Sequence, residues 1–337
     1  MGTSKKRGMQ SVAFSSPPVI STWASIVGPK EGEGPWQKDF DFILPDYLFA
    51  EDTWEKAESK ILRETVKLIV SKKQIGLEDV EVLLAGDLLN QTISSNYAAR
   101  ELQIPFLGLY GACSTMAESL LLGAMLVDGD YYERVIGAAS SHHYTAERQF
   151  RFPVEQGTQS SPTNQWTATA AGAVILEKAG IGPCITCATV GKVIDMGQTD
   201  MANMGSAMAP AAVATIKQHY ADMNRPTDYY DLVVTGDLAS YGKGIAEQLF
   251  IKEGIVPKPN YNDCGVLLYD KSQGVNAGGS GCGCAAAMLC GPFLNMMNVG
   301  KINKLLLVAT GALMSPTAIF QGESIPAIAH AVAIENS

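Results

Sequence analysis

One pattern of strand and helix occurs twice in this chain, and the duplication limits the folds it can adopt. Residues 81–89 (EVLLAGDLL) and 231–239 (DLVVTGDLA) each read as an apolar strand that ends in Gly-Asp-Leu. In each copy a cysteine then opens an apolar helix, at Cys113 and at Cys284, and a second strand follows (RVIGAASS and KLLLVATGAL). Two strand–helix–strand units in the same order predict a duplicated α/β fold, with parallel strands covered by helices on both faces.

The duplication divides the chain near residue 180. We predict an N-terminal half of residues 1–180, which includes a polar segment at 141–169, and a C-terminal half of residues 181–337. The polar segment is too long for a simple connection, and long ordered loops in compact domains are often functional. A site at the contact between two such halves should draw residues from both.

Two local elements of the first half can be predicted from periodicity. Apolar residues at helical spacing predict a helix over 54–71, and the continuous apolar run at 104–109 predicts a buried strand that leads up to Cys113.

Charge and cysteine content exclude several classes of protein. The 337 residues carry a formal net charge of -9, whereas proteins that bind nucleic acid present basic patches, so we expect no nucleic-acid partner. No apolar run reaches the ~18 residues that span a bilayer, and we expect no transmembrane segment. Seven cysteines in core-like segments, without a secretory signal, predict reduced thiols. The lone Cys184-x-x-Cys187 motif lacks the partners of a zinc site, and we predict neither a metal site nor a cofactor.

The sharpest local signal is the run Gly-Ala-Cys-Ser-Thr at 111–115. A cysteine where a strand turns into a helix lies at the positive end of the helix dipole, which lowers a thiol pKa and favours the thiolate. The same backbone amides suit an anion. We favour a role for Cys113 in lining a pocket over covalent chemistry, and the alternative is a small buried residue at a tight turn. The glycine-rich run 278–284, with Gly281 and Cys282, is the matching element of the second half.

A cluster of cationic side chains follows the second strand of the first half. His142 and His143 end that strand, and Arg148 and Arg151 come within the next ten residues. Arginine binds carboxylates through paired hydrogen bonds, and histidine can act as a base, a metal ligand or an anion partner. In an acidic chain these four residues are the best local candidates to bind a carboxylate ligand. The alternatives are a polar loop at the end of a sheet and surface salt bridges.

Asp87 and Asp237 occupy the same position in the two copies. A repeated aspartate at the end of a strand usually caps a helix or closes a turn, and we favour that interpretation over direct ligand contact. Both remain candidate ligand-binding residues, because their carboxylates could hold a ligand through bound calcium.

At these residues the chain resembles the thiolase fold. The shared features are two βα repeats, a cysteine at the amino end of the buried central helix of the first repeat, and a glycine-rich turn in the second. The resemblance implies a layered α/β/α/β/α architecture. Condensing enzymes of the ketoacyl synthase type add a histidine, followed by histidine or asparagine, from the second half. The corresponding positions here are 236–238 (GDL) and 281–286 (GCGCAA), so both partner residues are absent and the resemblance implies a protein that is not an enzyme. An aspartate beside the pocket also opposes thiolate formation.

A combination of motifs over nearly the whole chain is more specific. The runs LLAGDLLNQ, GACST, SSHHYTAERQFRFP, VGKVIDMGQTD, AGGSGCGCAA and VATGALMSPT resemble the stage V sporulation protein AD family of endospore-forming bacteria. This resemblance implies binding of pyridine-2,6-dicarboxylic acid (dipicolinic acid), or of its calcium chelate, for uptake into the developing spore. It implies the membrane subunits of the same sporulation channel as partners, and a peripheral location at the spore inner membrane. A homodimer is expected by analogy with the thiolase fold.

Two other functions stay open at this point. The first is a working acyltransferase or condensing enzyme that uses Cys113 as its nucleophile, with His142 or His143 as the base. The second is an assembly subunit whose pocket is vestigial. Titration with dipicolinate, beside an assay for acyl-thioester formation, separates the three hypotheses.

Overall fold

The computed structural model describes residues 5–150, 161–255 and 260–336. Within these ranges the strands are β1 (Lys6–Arg7), β2 (Ser11–Ala13), β3 (Val19–Val27), β4 (Phe42–Ile43), β5 (Val82–Gly86), β6 (Phe106–Gly108), β7 (Arg134–Ser141), β8 (Trp166–Thr167), β9 (Ala170–Glu177), β10 (Cys184–Thr189), β11 (Leu232–Thr235), β12 (Tyr261–Asp263), β13 (Gly279–Ser280), β14 (Lys304–Ala312) and β15 (Ala327–Glu335). The helices are α1 (Pro29–Gly32), α2 (Trp54–Lys73), α3 (Ile93–Leu102), α4 (Thr115–Asp128), α5 (His143–Phe150), α6 (Met204–Met223), α7 (Ala239–Lys252), α8 (Cys264–Leu267), α9 (Cys282–Met288), α10 (Leu294–Asn298) and α11 (Pro316–Phe320).

The strand order repeats between the two ends of the main sheet. In the first half the order is β6-β5-β7-β9-β3, and in the second half it is β12-β11-β14-β15-β10. In the first series β5 is parallel to β7, and β9 is antiparallel to both of its neighbours, β7 and β3. In the second series β11 is likewise parallel to β14, and β15 is antiparallel to both β14 and β10. The two series meet where Val19 of β3 pairs with Cys184 of β10. The predicted boundary at residue 180 falls between β9 and β10 and stays a prediction.

Two helices fill the space between the two series of strands. α4 contacts β5 and β7 of the first half and β14 and β15 of the second, and α9 contacts β7, β9 and β14. The sequence of α4, TMAESLLLGAMLVD, is apolar on most sides, which is typical of a helix that is buried all round. All residues of α9 are buried. The backbones of β9 and α9 approach each other closely, since a Cβ atom at Gly172 of β9 would lie 2.4 Å from the carbonyl oxygen of Ala286 in α9.

Amphipathic helices cover the outer face of each series of strands. α2 packs on β3, β7 and β9, and α6 packs on β14 and β15. The helix predicted over 54–71 is α2, which ends two residues later at Lys73. Thr53 caps its first turn by accepting a hydrogen bond from the N–H of Lys56 (3.3 Å), and Gln74 ends it in a left-handed conformation (φ 61°). Each series of strands therefore lies between an outer helix and the central helices, which gives the α/β/α/β/α layers that the resemblance to the thiolase fold implied.

Two segments differ from their predictions. The strand predicted over 104–109 is shorter, and β6 is an exposed sheet edge rather than a buried strand, since Leu107 is 49% exposed. The segment predicted as a loop over 141–169 contains α5 and β8, and β8 pairs in parallel with β13 of the second half. The sequence did not indicate these elements because α5 (HYTAERQF) has few apolar residues and β8 is only two residues long. The segment thus joins the two halves.

Candidate functional site

The turn that carries Cys113 lies between β6 and α4. The Ser114 hydroxyl donates a hydrogen bond to the carbonyl oxygen of Gly111 (2.6 Å) and closes the turn. Ala112 adopts a left-handed conformation (φ 50°), which is uncommon for a residue with a side chain. This backbone brings the buried Cys113 against the second half, where its thiol lies beside the carboxylate of Asp237.

The second half approaches this turn through glycines. A Cβ atom at Gly311 of β14 would lie 2.3 Å from the carbonyl oxygen of Gly111, so only glycine leaves room for the contact. Gly281, at φ 95°, turns the chain into α9, and the Cys282 thiol donates to the carbonyl oxygen of Ser140 (2.9 Å) in the first half. The cysteine turn of the first half and the glycine-rich turn of the second therefore meet, as the sequence predicted.

Asp237 is the buried carboxylate at the centre of this contact. It accepts hydrogen bonds from the Thr310 hydroxyl (2.7 Å), the N–H of Gly281 (2.9 Å) and the Ser280 hydroxyl (3.2 Å), and it lies beside the Cys113 thiol. Burial raises the pKa of Asp237, and the donors oppose that shift because they stabilise the ionised form. One carboxylate thus joins three separate segments of the chain.

The Cys113 thiol is held in its protonated form. Burial raises its pKa well above the ordinary value, and the neighbouring Asp237 and Cys282 raise it further. The prediction that the helix dipole would favour a thiolate here is therefore wrong. Desolvation outweighs the dipole because the residue is only 6% exposed and α4 begins two residues later, at Thr115. A protonated thiol is a poor nucleophile.

Asp87, the matching residue of the first half, caps a helix. Its carboxylate accepts hydrogen bonds from the N–H of Leu89 (2.9 Å) and from the N–H (2.8 Å) and hydroxyl (2.7 Å) of Ser95 in α3. Glu58 of α2 is buried nearby and accepts from the Thr145 hydroxyl (2.6 Å), and burial together with Asp87 raises the pKa of Glu58 well above its ordinary value. Sequence reasoning missed Glu58 because a glutamate in an amphipathic helix is normally exposed. The described ranges contain no group of three or more His, Cys, Asp or Glu side chains that could hold a metal ion.

Both predicted site histidines are buried among aromatic neighbours. His142 donates from Nε2 to the carbonyl oxygen of Tyr47 (2.8 Å) and accepts the N–H of Tyr144 at Nδ1 (3.2 Å). Burial lowers the pKa of His142 to about 4, so its imidazole is neutral at neutral pH. His143 stacks on Trp166, with 3.6 Å between ring centroids. His142 therefore supplies no positive charge, which corrects the predicted cationic cluster.

Arg148 of the predicted cluster lies on α5 and already has partners. Its Nη1 donates to Oε1 of Glu55 (2.7 Å), and its guanidinium lies 4.7 Å from the ring centroid of Trp54. Arg151 lies outside the described residues. Whether any residue of the cluster contacts a ligand stays a prediction.

A cleft of about 480 Å³ opens between the two halves, beside Tyr110. Its walls come from segments 89–92, 108–110 and 149–150 of the first half and 313–316 of the second. Burial and the nearby Cys113 and Cys282 raise the pKa of Tyr110 to about 12, so the cleft lies close to the cysteine turn. Among the described lining residues none is charged, and the polar side chains are those of Asn90, Gln91, Thr92, Tyr110, Gln149 and Ser315.

The rim of this cleft carries backbone strain. Gln91 (φ 57°) and Thr92 (φ 49°) both adopt the left-handed conformation, which is a genuine outlier for a β-branched threonine. Such strain costs of order 1–3 kcal/mol per residue and concentrates at ligand sites. Gln149 holds the segment from across the cleft, since its side chain donates to Oδ1 of Asn90 (3.1 Å) and accepts the N–H of Asn90 (3.2 Å). Sequence reasoning missed these residues because no turn motif marks them.

Solved structures of similar fold are found among thiolases and condensing enzymes. The chain superposes on 3-oxoacyl-[acyl-carrier-protein] synthase III from Aquifex aeolicus VF5 with a TM-score of 0.59, at 10% identity, over 94% of this chain and 99% of that one. It superposes on human mitochondrial 3-ketoacyl-CoA thiolase in complex with CoA with a TM-score of 0.58, at 12% identity, over 96% and 99%. At such identities the likeness establishes the fold alone, and that fold is thiolase-like.

Similarity at the level of sequence is much higher. Stage V sporulation protein AD of Bacillus subtilis (strain 168) is 44% identical over 333 residues, which are 99% of this chain and 98% of that protein. The family described as Stage V sporulation protein AD (SpoVAD) matches residues 8–335, a range that contains the cysteine turn, Asp237 and the cleft. The chain therefore belongs to the stage V sporulation protein AD family.

Proposed function

We propose that this protein binds dipicolinic acid, with a preference for the calcium chelate, in the cleft beside Tyr110, and that it catalyses no reaction. The family acts in stage V of sporulation, and the proposed role is uptake of dipicolinate into the developing spore as a subunit of a sporulation channel. The observation that carries the proposal is the burial of the Cys113 thiol beside the carboxylate of Asp237. Burial and the neighbouring carboxylate raise the pKa of the thiol well above its ordinary value and keep it protonated at the position where condensing enzymes of this fold need a nucleophile.

The contacts of Asp237 and of His142, one of the two histidines considered as the base, support binding rather than acyl transfer. Attack on a thioester requires a thiolate and a group that accepts the thiol proton. Asp237 touches the thiol, but its charge would oppose the charge of a thiolate, and three other donors already engage it. His142 uses both ring nitrogens in hydrogen bonds within the first half. Neither residue is available as the base of a condensing enzyme.

The uncharged lining bears on which form of the ligand the cleft accepts. Free dipicolinate is a dianion at neutral pH, and burying a charge without a partner is costly. The chelate of one Ca²⁺ with one dipicolinate is neutral. The side-chain oxygens of Asn90, Gln149 and Ser315 are of the kind that Ca²⁺ prefers, and their N–H and O–H groups can donate to carboxylates. The cleft volume of about 480 Å³ is also in the usual range for small-molecule sites.

Calorimetric titration tests the proposal. We expect the calcium chelate to bind at least ten-fold more tightly than dipicolinate in the presence of EDTA. Isophthalate, which lacks the chelating pyridine nitrogen, should not bind in either condition. Tyr110→Ala and Gln149→Ala should each weaken binding of the chelate about ten-fold, or about 1.4 kcal/mol. Tyr131→Ala, a matched change at a residue that is 75% exposed and outside the cleft, should leave binding unchanged. Folded protein that binds neither form of dipicolinate would refute the proposal.

An acyltransferase that uses Cys113 is the second candidate, because the cysteine turn lies close to the cleft. Intact-mass measurement after incubation with acyl-CoA donors distinguishes the two functions. We expect no stoichiometric adduct, since the thiol is protonated and neither Asp237 nor His142 is available to accept its proton. An adduct that disappears in Cys113→Ala would favour the acyltransferase.

We further propose that the protein works as a homodimer at the inner membrane of the developing spore, beside the membrane subunits of the channel. The exposed edge of β6 supports the dimer, because an unpaired strand edge with an exposed Leu107 is a ready surface for a second copy. In the described ranges, no helix combines the length and the apolar character that crossing a membrane requires.

A further inference from the structure

A second groove lies on the outer face of the second half and shares no lining residue with the cleft. It has a volume of about 530 Å³ and is bounded by α6, α7 and the extended segment 190–196. Along α6 it runs from Pro210 to Ala221, a distance of about 16 Å at 1.5 Å per residue. The apolar part of its lining includes Ile194, Pro210, Val213, Ala214 and Leu249.

Backbone hydrogen bonds hold the extended segment that forms one wall. The N–H of Val190 donates to the carbonyl oxygen of Gln10 (3.0 Å), and the N–H of Ile194 donates to that of Ala327 (2.8 Å). The wall is thus fixed before any partner arrives, which lowers the entropic cost of binding. Met196, at the end of this wall, is 73% exposed and extends the apolar surface to the rim.

Lysine side chains surround the groove. Lys192, Lys217 and Lys252 line it, and the one carboxylate among the described lining residues, Glu253, pairs with Lys217 (2.5 Å). Lys192 and Lys252 form no ion pair with residues in the described ranges. The three lysines outnumber the one carboxylate among the lining residues, although the chain has a net charge of -9. Asp195 in the wall and Asp222, which accepts from the side chain of Gln218 (2.5 Å), lie beside the groove, so the excess of positive charge is local to Lys192 and Lys252. At physiological salt the Debye length is only ~8 Å, so a bound partner responds mainly to these nearby lysines.

We propose that this groove binds an amphipathic helix of another protein, with acidic side chains on both sides of its apolar stripe. A length of about 16 Å corresponds to about three helical turns of 5.4 Å, which present apolar residues at positions i, i+3 or i+4, and i+7. These residues fill the apolar lining, and the acidic flanks meet Lys192 and Lys252 at the rim. A concave groove suits a cylinder, whereas a flat membrane surface would leave the lining between α6 and α7 unfilled.

Fluorescence anisotropy with two labelled peptides of about 18 residues tests the proposal. One peptide has leucines at helical spacing and glutamates beside them, and the other has lysine in place of each glutamate. We expect the glutamate peptide to bind at least ten-fold more tightly. Joint Lys192→Glu and Lys252→Glu changes should remove this preference, and Ala214→Arg should weaken binding about ten-fold by occupying the groove. Joint Lys271→Glu and Lys301→Glu changes, at exposed lysines outside the groove, are the matched control and should have no effect.

Thermal denaturation of each variant confirms that it is folded before binding is compared. Equal binding of both peptides, or an equal loss in the control variant, would overturn the proposal. Cosedimentation with vesicles rich in phosphatidylserine examines a membrane surface as the occupant. If vesicles bound the wild type and not the lysine variant, while neither peptide bound, the groove would be a lipid-contacting surface and the proposal would be wrong.

Discussion

Replacing Glu31 by glutamine should change how the stability of this protein depends on pH. Glu31 lies in α1 and is completely buried. Its Oε1 accepts hydrogen bonds from the hydroxyl of Tyr269 in the second half and from the N–H of Thr169 (3.1 Å). No donor among the described residues reaches its Oε2. Burial therefore outweighs the hydrogen bonds and raises the pKa of Glu31 from 4.5 to about 7.

The sign of the effect follows from proton binding. Between pH 4.5 and about pH 7 the folded protein keeps a proton on Glu31 that the unfolded chain has lost, so stability falls as pH rises. The contribution is fully present below pH 4.5 and is lost as the pH passes through about 7. The difference between the pKa of Glu31 in the unfolded chain (4.5) and in the folded protein (about 7) corresponds to roughly 3.4 kcal/mol of unfolding free energy, at ~1.36 kcal/mol per pH unit. About 2.5 kcal/mol of this free energy is lost between pH 5 and pH 8. Glutamine does not ionise, so Glu31→Gln lacks this loss.

Urea denaturation at several pH values between 5 and 8 measures the free energy of unfolding of both proteins. Other titrating groups cancel in the difference between variant and wild type. We expect that difference to move by about 2.5 kcal/mol in favour of Glu31→Gln from pH 5 to pH 8. Glu33→Gln, at an exposed neighbour, should follow the wild type. If Glu31→Gln kept the pH dependence of the wild type, burial would not control the ionisation of Glu31 and the reasoning would be refuted.

Three further predictions concern assembly and the site. Wild-type protein should sediment as a homodimer at micromolar concentration and Leu107→Lys, at the exposed β6 edge, as a monomer; a monomeric wild type would contradict the proposed dimer. Titration followed by NMR should find His142 uncharged above pH 5, because burial lowers its pKa to about 4, and a midpoint near 6.5 would count against that explanation. Arg148→Ala should leave the dissociation constant of dipicolinate unchanged in calorimetry, because Glu55 already pairs with the guanidinium; a ten-fold loss would place Arg148 in the site.

The layered fold could be predicted because its signal is local and occurs twice. Each Gly-Asp-Leu run follows a strand, β5 or β11, that occupies the same place in its five-strand series. The apolar sequence of α4 likewise indicated a helix after Cys113, and the resemblance to the thiolase fold implied that this helix is central and buried. The exposed edge at β6 could not be predicted in this way. A short apolar run looks the same whether its strand is covered on both sides or lies at a sheet edge.

The chemistry of the site could not be predicted because it depends on partners far away in the sequence. His142 is neutral because it is buried against Tyr47, which is 95 residues earlier. The position of Cys113 before a helix indicated the opposite pKa shift, and only the resemblance to the thiolase fold indicated an opposing aspartate beside the pocket, which is Asp237 of the other half. The strained pair Gln91 and Thr92 has no glycine or asparagine to indicate left-handed backbone.

The two repeated aspartates show why the cleft, rather than these carboxylates, is the place to look for ligand contacts. A carboxylate offers about four acceptor sites. Asp237 receives donors from Thr310, Gly281 and Ser280 and lies beside the Cys113 thiol, so the protein itself uses most of its acceptor capacity. A calcium ion or a ligand N–H would have to displace one of these bonds in the buried contact between the halves. Replacing Asp237 would leave those donors without a partner and cost stability before it changed affinity. The neutral amides and hydroxyls of the cleft are engaged less fully: Gln149 pairs with Asn90, the Thr92 hydroxyl donates to the carbonyl oxygen of Gln91 (2.8 Å), and the Ser315 hydroxyl accepts the N–H of Ala318 (3.5 Å). A hydroxyl in one such bond keeps a free acceptor or donor for a ligand.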